Sequence, residues 1–165
     1  MILKPTSLLA VSAIAFSALF LASSCKKDNG PTGAAAQLSA TIGANSFSPS
    51  LVQGFDDGIL TSVAGLQIKS GDSLILTVSV PDTAKAGMVI KFSAIDDGAV
   101  EYINSKATMA YFSWTGASHG TITINSWDKT NKKISGSVNG MLYNDFNDKD
   151  SARISGQFNT AYVTQ

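Results

Sequence analysis

The chain has 165 residues, with twelve basic and twelve acidic side chains and a single histidine. This balance leaves no basic surplus that would attract nucleic acid or anionic lipid headgroups. One cysteine excludes an internal disulfide, and one histidine excludes a histidine cluster that could hold zinc. The length suffices for one domain with a substantial hydrophobic core.

The first 24 residues have the three parts of a cleaved export signal. Residues 1–7 carry one charge, Lys4, and residues 8–21 are apolar apart from two serines. This apolar run of 14 residues is shorter than the ~20 that cross a bilayer as a helix. Small residues, Ala22-Ser23-Ser24, then lead to the only cysteine, Cys25.

The segment 21–25 resembles a bacterial lipoprotein box, although its leucine, Leu21, lies four residues before Cys25 rather than three. In that family a diacylglycerol is attached to the cysteine sulfur, the signal is cleaved before it, and the new amino group is acylated. The resemblance implies that Cys25 carries acyl chains such as palmitate and that residues 1–24 are removed. It also implies attachment to the outer membrane of a Bacteroidetes-type envelope, facing the periplasm or the surface. The alternative is an ordinary secreted protein with a free Cys25.

Residues 26–36 contain charges, Gly30, Pro31 and Gly33, but no large apolar side chain. This composition is typical of a disordered spacer. Eleven extended residues span at most ~36–40 Å. We therefore expect residues 25–36 to be a lipidated, flexible tether that holds a domain at residues 37–165 close to a membrane.

Runs with the two-residue period of strands recur through residues 37–165, separated by Gly, Asn, Asp or Pro. They predict an all-β domain, a single antiparallel β-sandwich or barrel of about nine strands. The stretch Ala99–Trp114 lacks Gly and Pro and is the one place where a helical turn could lie. The predicted strands are Gln37–Gly43, Ser46–Gln53, Ile59–Lys69, Ser73–Val80, Met88–Ser93, Ala107–Thr115, Gly120–Trp127, Lys133–Asn144 and Ser151–Val163.

Two segments are similar to each other, Ile134–Asn139 and Ile154–Asn159. Their offset of 20 residues predicts two neighbouring antiparallel strands joined through residues 144–150. Each has a central glycine, Gly136 or Gly156, which predicts a bulge or a close approach of another backbone.

The order of several short motifs resembles an uncharacterised family of small all-β lipoproteins found in the same kind of envelope. The motifs are Ser39–Phe47, Val80-Pro81-Asp82, and Gly120–Ile124 followed by Lys133–Gly136. The resemblance covers most of residues 37–165. It implies the all-β fold and implies no activity.

One segment, Gly116-Ala117-Ser118-His119-Gly120, matches the Gly-x-Ser-x-Gly nucleophile elbow. That motif needs a following helix and a later base histidine, whereas a strand pattern follows here and His119 is the only histidine. We interpret it as a glycine-rich loop between strands. Since Glu101 is the only glutamate and the aspartates lie mostly in turns, no catalytic carboxylate pair can be placed. We expect neither an enzyme nor a cofactor.

The loop at residues 144–150 holds three aspartates and two asparagines. Oxygen ligands at short spacing are the kind that calcium binds, and the candidates are Asp145, Asn147, Asp148 and Asp150. However, Lys149 occupies a ligand place in the usual spacing and no glutamate closes the site. A solvated hairpin turn is the simpler interpretation.

Aromatic side chains would stack on sugars if they lined one face of the domain; packing in the core or at the rim is the alternative. The candidates are Trp114, Trp127, Tyr111 and Tyr143, with Tyr162. The sequence therefore predicts a lipid-anchored envelope protein acting as a binding or structural module, with an unidentified protein or glycan partner. The alternatives are a lipocalin-like barrel around a small apolar ligand and a surface glycan-binding module.

Overall fold

The computed structural model describes residues 36–92, 98–106, 109–115 and 117–165, apart from the side chain of Asp148. These residues form eleven strands and no helix, so none of them forms a helix that could cross a membrane. The strands are β1 (Gln37–Ile42), β2 (Asn45–Phe47), β3 (Leu51–Asp56), β4 (Leu60–Lys69), β5 (Asp72–Pro81), β6 (Val89–Lys91), β7 (Ala99–Asn104), β8 (Ala110–Phe112), β9 (His119–Asp128), β10 (Lys133–Asn144) and β11 (Asn147–Thr164).

All eleven strands belong to one mostly antiparallel sheet that partly closes into a ring. The long strand β11 allows the closure, because it pairs with β10 along one edge and with β1, then β3, along the other. Strand β10 pairs in the same way with β9 and, at its end, with β8. We call β2-β1-β11-β10-β9-β6 the first layer and β3-β4-β5-β7-β8 the second layer. The predicted all-β fold is confirmed.

Side chains of the two layers meet in a shared core. The Phe47 ring of β2 contacts the Tyr102 ring of β7 edge to face, with 5.9 Å between centroids. On β4, Gly65 leaves room for Leu38 of β1, since a Cβ on this glycine would lie 2.8 Å from Leu38 Cδ2. The core is therefore filled by contacts across the ring. Its large side chains with less than 2 % exposure include Leu76, Ile122, Ile124, Ile134, Leu142 and Ile154.

The predicted hairpin between the two similar segments is confirmed. Strands β10 and β11 pair from Lys133 opposite Ala161 onwards to Asn144 opposite Asn147. The pairing of β10 with β9 shifts register next to Gly136, as expected for a bulge. A Cβ on Gly136 would collide with the Phe158 ring, so this glycine also permits a close approach.

Two stretches differ from their predictions. The predicted strand Ser46–Gln53 is divided into β2 and β3, because the chain crosses between layers at Pro49, which has no N–H to donate to a sheet. The stretch Ala99–Trp114 contains β7 and β8 rather than a helical turn. The predicted strands Met88–Ser93 and Ala107–Thr115 reduce to the short β6 and β8, and Ser93, Ala107 and Thr108 lie outside the described residues.

Candidate functional site

The aromatic side chains named by the sequence are divided between the two sides of the sheet. Trp127 faces the interior, where its cross-strand partner is the buried Ile134. Tyr111 also faces the interior, opposite Tyr102, with 6.4 Å between the ring centroids. These two side chains pack against the main core, so they belong to different ends of the interior rather than to an open platform.

The other two aromatic candidates lie on the outer side of the sheet, where β8 of the second layer meets β10 of the first. Trp114 stacks on Phe112 with 4.7 Å between ring centroids and 12° between ring planes. Phe112 in turn lies opposite Tyr143 on the neighbouring strand β10. The structure therefore brings Trp114 and Tyr143 near each other and keeps both apart from Trp127 and Tyr111.

A hydrogen-bonded cluster holds Tyr111 in place at the corner between β8 and β10. The Tyr111 hydroxyl donates to Asp150 Oδ2 at 2.7 Å, and Asn144 Nδ2 donates to the same oxygen at 2.9 Å. Burial, followed by the bond to Asp150, raises the pKa of Tyr111 to about 12. The bonds from Asn144 and then from Tyr111 lower the pKa of Asp150. At neutral pH the Tyr111 hydroxyl therefore stays protonated and the Asp150 carboxyl group stays ionised, as this hydrogen-bonded cluster requires.

Two of the four calcium candidates have hydrogen-bond partners within the chain. Asp150 accepts hydrogen bonds from Tyr111 and Asn144, and Asn147 Oδ1 accepts a bond from the Lys149 N–H at 3.2 Å. Asp145 is exposed. No group of three or more His, Cys, Asp or Glu side chains among the described residues could hold a metal ion. The Asp148 side chain lies outside the described residues. The choice between a calcium site and a solvated hairpin turn stays a prediction.

The Gly-x-Ser-x-Gly segment forms the connection from β8 to β9, and Gly116 lies outside the described residues. Ser118 Oγ lies 2.6 Å from the Thr115 carbonyl and 2.7 Å from the Phe112 carbonyl, and it accepts a bond from the Tyr143 N–H at 3.0 Å. The Ser118 hydroxyl therefore holds the loop between β8 and β9 in place through these hydrogen bonds. His119 Nδ1 bonds to the Ala117 carbonyl at 2.9 Å rather than to Ser118.

The strongest candidate site is a pocket beside Trp127. The indole Nε1–H donates to the Tyr162 hydroxyl at 3.0 Å, and the two rings meet edge to face with 6.5 Å between centroids. Because its ring nitrogen and one edge are held in this way, the indole has a defined orientation at the end of β9.

A lysine closes one side of this pocket. Lys129 Nζ donates to the Asp82 carbonyl oxygen at 2.6 Å and to Asp82 Oδ1 at 2.9 Å. The same ammonium lies 4.9 Å from the centre of the Trp127 ring, within cation–π range. Since the ion pair is half-exposed, its contribution to stability is small. The ion pair instead fixes the position of two loops, because it joins the loop after β5 to the loop after β9.

The pocket is a surface depression of about 610 Å³ that is open to solvent. Lys129 and Asp82 neutralise each other, whereas Lys85 forms no ion pair with any described residue. The pocket therefore combines an apolar ring face with one unpaired positive charge. It is lined by Asp82, Thr83, Ala84, Lys85, Ala86, Trp127 and Lys129.

Sequence reasoning identified only Trp127 among these lining residues. Asp82 and Lys129 are 47 positions apart in the chain, and no local pattern indicates that their loops meet. The one available signal was the charged residue two positions after a tryptophan at a strand end, which is a weak and common combination.

No family model, curated protein or solved structure matches this chain. The resemblances of residues 21–25 to a lipoprotein box and of residues 37–165 to small all-β lipoproteins stay predictions. Cys25 and most of the tether lie outside the described residues.

Proposed function

We propose that this protein is a lipid-anchored lipoprotein of the cell envelope, in the outer membrane, whose β domain binds a saccharide in the Trp127 pocket. The anchoring part rests on the sequence of residues 1–36. The charged start, the short apolar run and the small residues before Cys25 are those of a cleaved secretory signal, and residues 21–25 resemble a lipoprotein box. Two or three acyl chains are needed for durable attachment, and acylation of both the sulfur and the new amino group of Cys25 supplies them.

The binding part rests on one observation, the oriented half-buried indole in a pocket with hydrogen-bonding groups around it. An aromatic face packs well against the C–H face of a sugar ring. Thr83, Lys85 and Asp82 supply a hydroxyl, an ammonium and a carboxylate for sugar hydroxyls. Because Lys85 forms no ion pair with any described residue, its ammonium can pair with a carboxylate, and a uronic acid therefore suits this pocket better than a neutral sugar does.

Binding is a better interpretation than catalysis for this pocket. Asp82 is the only carboxyl group among the lining residues, and Lys129 holds it in an ion pair. Glycoside hydrolysis requires a second carboxyl group on the other side of the scissile bond. The lipocalin-like alternative has less support, since the buried rings of Phe47 and Tyr102, from opposite layers, contact each other across the described interior.

The anchor is tested by Cys25→Ser in an envelope-forming bacterial host. We expect the wild-type protein in the membrane fraction and the variant in the soluble fraction, because the sulfur is the only site for the diacylglycerol. Mass spectrometry of the wild-type protein should show an acylated Cys25 as the first residue. Ser23→Ala, which keeps a small residue before the cysteine, is the control and should remain in the membrane. A Cys25→Ser protein that still sediments with membranes would contradict the anchor.

The pocket is tested by calorimetric titration of the purified full-length protein with galacturonic acid oligomers and with maltohexaose. We expect the acidic oligomer to bind and Trp127→Leu to weaken its binding at least tenfold, equivalent to about 1.4 kcal/mol. Lys85→Ala should reduce the preference for the acidic oligomer over the neutral one. Trp114→Leu, which changes the only other tryptophan, is the matched control and should bind normally. Equal losses in both tryptophan variants, or no binding of either oligomer, would count against this site.

A further inference from the structure

The Trp127 indole has one side that a ligand can reach. The ring packs against the main core, and its Nε1–H donates to the hydroxyl of Tyr162, a residue that is only 5 % exposed. The accessible side is therefore the one turned towards the pocket, which Trp127 and Lys129 line together. Because the core and Tyr162 both hold the ring, it cannot turn to offer another face.

Lys129 covers this accessible side of the ring. Its Nζ lies 4.9 Å from the ring centre, within the ~6 Å of a cation–π contact. The same ammonium donates to the Asp82 carbonyl oxygen and to Asp82 Oδ1, so Asp82 holds it over the indole. A sugar stacked on Trp127 would need the space that the lysine occupies, because stacked carbon atoms lie about 3.5–4 Å apart.

Lys129 is held weakly enough to move. Its side chain is 52 % exposed and that of Asp82 is 35 % exposed, and solvent weakens an ion pair of this kind. The ammonium also stands on a flexible four-carbon stem, whereas the indole is fixed by Tyr162 and the core. Of the two contacting side chains, the lysine is therefore the one that a ligand displaces.

The charge of the ligand decides what this displacement costs. A neutral sugar separates Lys129 from Asp82 and offers the ammonium no charged partner. A uronic acid brings a carboxylate, which replaces Asp82 as the partner of the ammonium through a charge-assisted hydrogen bond. Displacement of the lysine therefore costs less for an acidic saccharide than for a neutral one.

We propose that Lys129 is a specificity-determining residue of the Trp127 pocket, which covers the indole until an acidic saccharide displaces it. This inference rests on the proposed saccharide binding and gives Lys129 a role different from that of Lys85. Lys85 attracts the carboxylate of an acidic ligand, whereas Lys129 excludes neutral ligands from the ring. Removal of Lys85 therefore weakens binding of the acidic oligomer, whereas removal of Lys129 strengthens binding of the neutral one.

The first test is calorimetric titration of full-length Lys129→Met with galacturonic acid oligomers and with maltohexaose. Methionine keeps an unbranched side chain but cannot pair with Asp82. We expect maltohexaose to bind about fivefold more tightly than it binds the wild-type protein, since an exposed ion pair and an exposed cation–π contact no longer compete with it. The acidic oligomer should bind no more tightly than before. Lys149→Met, which changes an exposed lysine near the start of β11, is the matched control and should bind both oligomers as the wild-type protein does.

The second test measures the covering of the indole without any saccharide. In a Trp114→Phe background the tryptophan fluorescence comes from Trp127 alone, and acrylamide quenches an indole that it can contact. We expect stronger quenching in Lys129→Met than in the protein that keeps Lys129. Raising sodium chloride from about 20 mM to about 500 mM should increase quenching only where Lys129 is present, because salt screens an exposed ion pair. Circular dichroism identifies any variant that fails to fold.

The outcomes separate the role of Lys129 from saccharide binding itself. If Lys129→Met weakens binding of the acidic oligomer and leaves maltohexaose unchanged, the lysine only attracts the ligand and the proposal is overturned. Equal quenching with and without Lys129 would overturn it as well, even where the acidic oligomer binds. Binding of neither oligomer to the wild-type protein and to Lys129→Met would overturn both this role and the proposed saccharide site.

Discussion

Gly136 illustrates what a single missing side chain does in this fold. It lies where β10 changes register against β9, and its Cα faces the Phe158 ring of β11 on the inner side. The same position lies against the Thr123 carbonyl, so neither neighbour can be moved without disturbing a strand. The residue thus permits three strands and one aromatic ring to pack closely.

Replacing this glycine should destabilise the domain. Gly136→Ala places a methyl group where the Phe158 ring lies, and overpacking of this kind costs about 1–3 kcal/mol. Urea unfolding followed by circular dichroism would measure the loss. Ser137→Ala, at the next, outward-facing position, is the control and should change the unfolding free energy by less than about 0.5 kcal/mol. A neutral Gly136→Ala would show that the ring or the bulge can shift at little cost.

Whether the sequence predicted a strand depended on whether that strand buries one face or both faces. Strand β10 was predicted with its observed bounds, Lys133–Asn144, because buried and more exposed residues alternate along it. Strand β7 was missed, because Ala99 and Val100 are both buried although they face opposite sides. The alternation of apolar and polar residues disappears when both faces of a strand are covered. Only the pairing with neighbouring strands then shows which residues face the interior of the ring.

The sequence placed the connection between β4 and β5 correctly, between the predicted strands Ile59–Lys69 and Ser73–Val80, because its chemistry is local. Ser70 and Gly71 both have positive φ, 53° and 76°, and join β4 to β5 in the two-residue connection that such backbone angles favour. In contrast, the crossing between layers at Pro49 looked like the middle of a strand. Apolar and polar residues alternate on both sides of Pro49 much as they do in a strand. Only the pairing of β2 with β1 and of β3 with β4 shows that the strand is interrupted there.

For the whole molecule, several carboxyl groups make stability depend on pH. Hydrogen bonds from backbone N–H groups, chiefly those of Leu60 and Ile59, lower the pKa of Asp57. For Asp72, the hydrogen bond from Ser105 and then the one from Asn104 lower the pKa, and they outweigh burial, which acts in the opposite direction. A lowered pKa contributes stability above the ordinary carboxyl range, and this contribution is lost as the pH falls through the folded-state value. Glu101 acts in the opposite sense, because burial raises its pKa. Its raised pKa contributes stability at low pH that is lost as the pH rises through the folded-state value.

These opposite signs predict different pH profiles for two variants. Glu101→Gln should be more stable than the wild-type protein at pH 7, and the two should become equally stable below the ordinary glutamate pKa of about 4.3, where the unfolded chain also binds the proton. Asp57→Asn should be less stable than the wild-type protein at pH 7, and the difference should shrink below about pH 4. Urea midpoints measured from pH 3 to pH 8 would show both profiles. A constant difference across this range would contradict the assigned environment of the variant concerned.

The sequence by itself determined the all-β class, the hairpin of β10 and β11, and most of the turns. Each of these depends on a two-residue period or on a few neighbouring residues, which the chain specifies locally. The tertiary structure decided which strands are covered on both faces, which aromatic side chains share a side, and that the loops at residues 82–86 and 127–129 meet in a pocket. Those features depend on contacts between residues far apart in the chain, and such contacts follow only from how the sheet closes.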